Sequence, residues 1–183
     1  NIEAAFTGKD SKTYLFVGDQ FVRYANEDFS KIDEGYPRST ATSWGRVVNN
    51  FQRKEIVDAA LFMVAEVPET TPDSDTEDSK TDKLAGTAKK NEAPKMKQVA
   101  YSYLFSGSQY IRYTDQNYAF VDEGYPKNLD QLKSEPRFNQ IQHSLVEGFD
   151  SICADHRSLY IFKEGKLITN VDQPYQHYTD MHK

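Results

Sequence analysis

The stretch Tyr14-Leu15-Phe16-Val17-Gly18-Asp19-Gln20-Phe21-Val22-Arg23-Tyr24 returns eighty-nine positions later as Tyr103-Leu104-Phe105-Ser106-Gly107-Ser108-Gln109-Tyr110-Ile111-Arg112-Tyr113. A second block keeps the same offset: Ile32-Asp33-Glu34-Gly35-Tyr36-Pro37-Arg38 matches Val121-Asp122-Glu123-Gly124-Tyr125-Pro126-Lys127. Two separate motifs in one register mark a structural repeat, which must be recognised before any element is assigned. A third, worn copy starts at Phe149-Asp150-Ser151-Ile152 and runs into Leu159-Tyr160-Ile161-Phe162-Lys163-Glu164-Gly165-Lys166, without the Gln and Arg positions.

Within one unit the pattern is strand, turn, strand. Residues 14 and 16 face one way and 15 and 17 the other, and all four are apolar or aromatic, so both faces of the sheet are expected to be covered. Gly18-Asp19 and Gly107-Ser108 supply hairpin turns. Glu34-Gly35-Tyr36-Pro37 and its copy end the sheet, because Pro cannot donate to a ladder. Short helical stretches are expected near Thr42 to Val47 and Asp130 to Glu135, with Trp44 and Leu132 sealing the outer end of the unit. Each unit opens on a short strand of small residues: Ile2-Glu3-Ala4-Ala5-Phe6, Val57-Asp58-Ala59-Ala60-Leu61 and Phe149-Asp150-Ser151-Ile152-Cys153. The second gap between openings is longer than the first because about 68–97 is inserted in unit two. Rich in Thr, Ser, Asp, Glu and Lys, acidic first (Glu69, Asp73, Asp75, Glu77, Asp78, Asp82) and basic later (Lys83, Lys89, Lys90, Lys95, Lys97), it reads as a mobile charged loop.

Composition narrows the function. With 22 Lys+Arg against 28 Asp+Glu, the net charge of -6 gives no general attraction to nucleic acid or to anionic membrane faces. The longest apolar run, Val57 to Val67, is broken by Asp58 and Glu66 and is too short to cross a bilayer. Cys153 is the only cysteine, so no internal disulfide forms, and it is expected to be buried as a small hydrophobe. His143, His156, His177 and His182 show no metal-ligand spacing. No nucleophile, base and orienting group stand together, so the chain reads as a binding module and not an enzyme. Arg23 and Arg112 are expected to pair a turn acid of their own unit. Tyr36, Tyr125, Tyr175 and Tyr178 are candidates for exposed stacking surfaces.

The order apolar-Asp-Ala-Ala-Phe, then Tyr-Leu-Phe-x-Gly-Asp-Gln-Phe-x-Arg-Tyr, then Ile-Asp-x-Gly-Tyr-Pro is similar to the hemopexin repeat, with wording closest to bacterial photopexin and insecticidal-toxin-associated members. The resemblance implies an all-β, four-bladed propeller in a single domain: blade 1 about 1–53, blade 2 about 54–143, blade 3 about 144–183, with a fourth blade not identified. A closed ring would need that blade from outside the chain, from a partner or from an altered tail. The family holds ions in its channel, so backbone carbonyls of Glu3, Asp58 and Asp150 are expected to face a cation, calcium or sodium. Main-chain groups of Ala5, Ala60 and Ile152 would then face an anion such as chloride. Haem is not expected.

The function implied is recognition of a protein or glycan partner by a secreted or extracellular protein, as the host-recognition part of a bacterial virulence or insecticidal protein. The alternatives are a carrier of haem, polyamine or another small ligand, and a structural module of an oligomer or larger parent protein.

Overall fold

The computed structural model describes residues 1–44, 51, 56–69, 94–115, 117–141, 148–155 and 158–169. Three antiparallel sheets follow one another along the chain. The first contains β1 (Ala4–Thr7), β2 (Thr13–Val17), β3 (Gln20–Tyr24) and β4 (Arg38–Ser39), and leads into the short helix α1 (Thr40–Ser43). The second contains β5 (Ala59–Pro68), β6 (Met96–Ser106), β7 (Gln109–Tyr113) and β8 (Lys127–Asn128), followed by 3-10 turns at Leu129–Ser134 and Phe138–Gln140. The third contains β9 (Ser151–Ala154), β10 (Leu159–Lys163) and β11 (Lys166–Thr169). Spatial order equals chain order in every sheet, as consecutive hairpins require.

One register runs through all three sheets. Phe16 lies between Ala4 and Phe21, Phe105 between Ala59 and Tyr110, and Phe162 between Ser151 and Leu167. The worn third copy therefore folds in step with the two clear ones, because the pleat preserves facing even where residue identity has drifted.

Sheet 2 is sandwiched. Leu104, Ile111 and Tyr113 on one face pack into a cluster with Phe6, Tyr14 and Phe16 of sheet 1. Tyr103, Phe105 and Tyr110 on the other face pack with Ile152, Leu159, Ile161 and Ile168 of sheet 3. Among the described residues, coverage of both faces thus holds for sheet 2 alone. In sheet 1, Tyr14 and Phe16 are buried while Leu15 is half-buried and Val17 exposed; in sheet 3, Ile161 is buried while Tyr160 and Phe162 are half-buried. A stack of three has two outer faces, and the sequence pattern of one strand carries no record of its neighbours.

Other expectations are corrected. The opening strands start two residues later than read, at Ala4, Ala59 and Ser151. β5 and β6 remain paired out to Pro68 and Met96, and residues 70–93, most of the stretch read as an insertion, lie outside the described residues. Trp44 is buried between sheets 1 and 2 instead of at an outer end. Its indole meets Tyr14 and Phe21 edge-on at 5.0 and 4.9 Å and stacks on Tyr118 at 5.0 Å. Leu132, fully buried, plays a similar filling role on the other side of sheet 2.

The contact between sheets 1 and 2 leaves no room at Gly8. A Cβ there would stand 2.1 Å from Tyr118 Oη and 2.8 Å from Asp10 Oδ1. Gly8→Ala is therefore expected to cost about 1–3 kcal/mol, the usual range for overpacking, and adding Tyr118→Phe should restore part of it. Urea unfolding of the single and double variants checks this.

Candidate functional site: inner strands and acid-clamped turns

The first strand of each sheet forms one wall of a shared opening. Residues 5–7 of β1, 60–62 of β5 and 152–154 of β9 line a space of about 290 Å³. Ala5, Ala60 and Ile152, the positions expected to meet an anion, all lie on this wall. Small residues let the strands approach one axis.

Just before each of these strands stands an acid with a repeated geometry. The N–H groups of Glu3, Asp58 and Asp150 donate to the carbonyls of Phe16, Phe105 and Phe162 at 3.0, 2.9 and 2.7 Å. Their carboxylates accept from the N–H of Gly18, Gly107 and Glu164 at 2.6, 2.6 and 2.7 Å. Each acid thus clamps the hairpin turn of its own sheet through a charge-assisted bond. The longer Glu3 side chain reaches the turn amide equivalent to the one that Asp58 reaches. A second cleft, of about 380 Å³, lies between sheets 2 and 3 at this end and includes Asp58, Asp150, Lys163 and Glu164.

Side chains do not supply a metal centre among the described residues, where no group of three or more His, Cys, Asp or Glu is placed to hold an ion. Each of the three carboxylates is engaged with a turn amide through one of its oxygens. All four histidines, Tyr175 and Tyr178 lie outside the described residues.

Arg23 and Arg112 pair turn acids of their own sheets, as expected: Nε of each lies 2.5 Å from Oδ2 of Asp33 and Asp122. Tyr36 and Tyr125 are half-buried, not free stacking surfaces, because each is covered by cations. Arg38 and Lys127 sit 4.5 Å from their ring centroids. Cys153 is exposed, contrary to expectation: alternation along β9 sends Ile152 into sheet 2 and Cys153 to the uncovered face. Partial burial, with the charge of Asp155, raises its thiol pKa and so opposes thiolate formation.

Glu135 is not among the candidate residues read from the sequence. It is 2% exposed and accepts from Tyr103, Tyr110 and Tyr125 hydroxyls at 3.2, 3.1 and 2.5 Å. Arg112 NH1 and Lys127 Nζ complete the set at 2.7 and 2.9 Å. Burial alone would raise the pKa of Glu135, but the Tyr125 and Lys127 bonds and the Arg112 charge hold it below the usual value. Burial, and next Glu135 itself, push the Tyr103 and Tyr125 hydroxyls far upward.

Comparison with known proteins places this architecture. Residues 2–45 match the hemopexin family model. Among curated proteins, no sequence match reaches significance. Solved structures of similar fold include the hemopexin fold protein CP4 from cow pea, at TM-score 0.59 and 17% identity over 98% of this chain and 68% of that one. They also include LS24, a seed albumin from Lathyrus sativus, at TM-score 0.61 and 16% identity over 99% and 68% of the two chains. A plant lectin with two metal binding sites from Cicer arietinum gives TM-score 0.59 and 16% identity over 98% and 68%. The chain therefore has a hemopexin-type fold. Its first sheet lies within the segment that matches the hemopexin model.

Because the folded-state pKa of Glu135 is depressed, its stabilisation is complete above the ordinary glutamate value of 4.5 and is lost as pH falls through the lower folded value. Glu135→Gln leaves Arg112 and Lys127 without their shared anion and should cost about 3 kcal/mol at neutral pH. The gap between wild type and variant should close as pH drops below 4.5. Thermal melts across that range measure it.

Proposed function

We propose that the chain is a non-catalytic binding module, completed as a four-bladed propeller by one further repeat, that recognises a protein or glycan partner through its loops and blade edges. The observation that carries this reading is the threefold clamp at Glu3, Asp58 and Asp150, which holds three turns and three inner strands around one opening. A rigid frame with loops gathered at its ends is a common design for recognition.

The outer face of sheet 1 supports the further repeat. Leu15, Val22 and Tyr24 correspond through the repeat to Leu104, Ile111 and Tyr113, which are buried against sheet 1. Phe29 packs edge-on against Tyr24 at 5.5 Å, as Tyr118 does against Tyr113 at 5.7 Å, yet Phe29 is 55% exposed. The occupant that fits is another blade presenting the aromatic face that sheet 1 presents to sheet 2. About a third of the length of the solved neighbours lies outside the matched part, room for one such unit.

Carbonyls of Glu3, Asp58 and Asp150 would hold calcium or sodium, and main-chain groups of Ala5, Ala60 and Ile152 chloride; the two metal binding sites of the Cicer arietinum lectin support metal binding. That protein's description as a lectin favours a glycan ligand. A secreted protein, and a host-recognition role in a bacterial toxin-associated protein, are the finer readings, the latter supported by the wording of the repeat.

Calcium should raise the melting temperature, with a stabilisation of about 2.7 kcal/mol at one hundred times its dissociation constant, and chelator should reverse it. A melting temperature indifferent to both removes the channel cation. Glycan arrays and pull-downs from extracellular extracts test recognition, and silence in both removes the binding reading.

A further inference from the structure

Sheets 1 and 2 build the same cationic cradle, and among the described residues only that of sheet 2 is filled by an acid of the chain beyond its turn aspartate. In sheet 2, Asp122 orients Arg112, whose guanidinium stands 5.0 Å from the Tyr125 ring centroid, with Lys127 4.5 Å from the same centroid. The Glu135 carboxylate closes the group, bonded to Arg112, Tyr125 and Lys127. In sheet 1, Asp33 orients Arg23, which stands 5.2 Å from the Tyr36 ring, and Arg38 stands 4.5 Å from it. All four members are displaced by the same eighty-nine residues.

Among the described residues, no acid other than Asp33 meets Arg23, and none meets Tyr36 or Arg38. Arg38 donates from Nε to the Gly35 carbonyl at 3.2 Å, and the Tyr36 hydroxyl has no hydrogen-bond partner among the described residues. The inner phenols differ too: Tyr14 donates to Asp10 at 2.6 Å, and Phe21 replaces Tyr110. The donors left in sheet 1 are therefore the outer ones. They are reachable, since Arg38 is exposed, Tyr36 half-buried and the Arg23 side chain 35% exposed.

We infer that the Arg23, Tyr36 and Arg38 cradle of sheet 1 binds a carboxylate supplied by a protein partner, a glutamate side chain held as sheet 2 holds Glu135. The ligand is a peptide acid because the occupant of the equivalent cradle is one, reaching in from a backbone between Ser134 and Pro136. Two cations beside one phenol ring give charge-assisted bonds of the kind that select a carboxylate over its neutral amide. The inference rests on the binding-module reading but concerns a site apart from the channel.

The test is fluorescence polarisation with a labelled peptide of the sequence of residues 132–138, and with the same peptide carrying Gln for Glu. The Glu peptide should bind at least tenfold more tightly than the Gln peptide. Arg38→Gln should weaken it at least tenfold and Tyr36→Phe several-fold, whereas Lys31→Gln, an equal change of charge on an exposed residue, should leave it unchanged. Melting curves confirm that each variant is folded. Equal binding of the two peptides, equal loss in Lys31→Gln, or binding of glucuronic acid oligosaccharides with the peptide silent overturns the inference. If the peptide is silent while glycan-array or pull-down binding persists, the cradle fails and the binding module stands.

Discussion

A pleated strand with apolar residues on both sides must be covered twice, and this constraint organises the molecule. Sheet 2 meets it inside the chain, with Leu104 and Ile111 against sheet 1 and Tyr103 and Phe105 against sheet 3. Stacking on both sides ties the three sheets into one cooperative body, and aromatic geometry makes the contact specific. Trp44 is the clearest case: it touches residues from three strands of sheet 1 and from the loop after β7.

Repetition and divergence divide the labour between the two ends of each unit. At the inner end, Glu3, Asp58 and Asp150 perform one task in three settings, and the worn third copy keeps it after losing the Gln and Arg positions. Holding a hairpin turn beside the axis tolerates little change. At the outer end, sheet 2 gathers five donors around Glu135, whereas in sheet 1 the cations recur and no second acid meets them among the described residues. Desolvating an anion is tolerated only when nearly every lone pair is satisfied, and the three tyrosines and two cations do this.

The repeat made most of the fold legible. The hairpins at Gly18 and Gly107, the small-residue inner strands and the pairing of Arg23 and Arg112 with turn acids all follow from residues recurring in register. What failed had no second copy or depended on neighbours. Glu135 occurs once, so no periodic signal marked it. Cys153 and Val17 occupy positions that are buried only when another sheet lies beyond, which the local pattern does not encode. The reach of β5 beyond Leu61 was missed because the short opening strand of the first unit offers no precedent for it; Leu61, Met63, Ala65 and Val67 share one face against sheet 3.

That extended ribbon has a consequence of its own. From Phe62 to Pro68 the paired strands travel about 20 Å at the usual rise per residue, so the attachment point of the inserted segment stands well clear of the axis. A segment that enters between Pro68 and Met96 is therefore held apart from the inner end of the sheet by the whole length of the ribbon, whose pairing runs unbroken from Ala59 and Phe105 to that point.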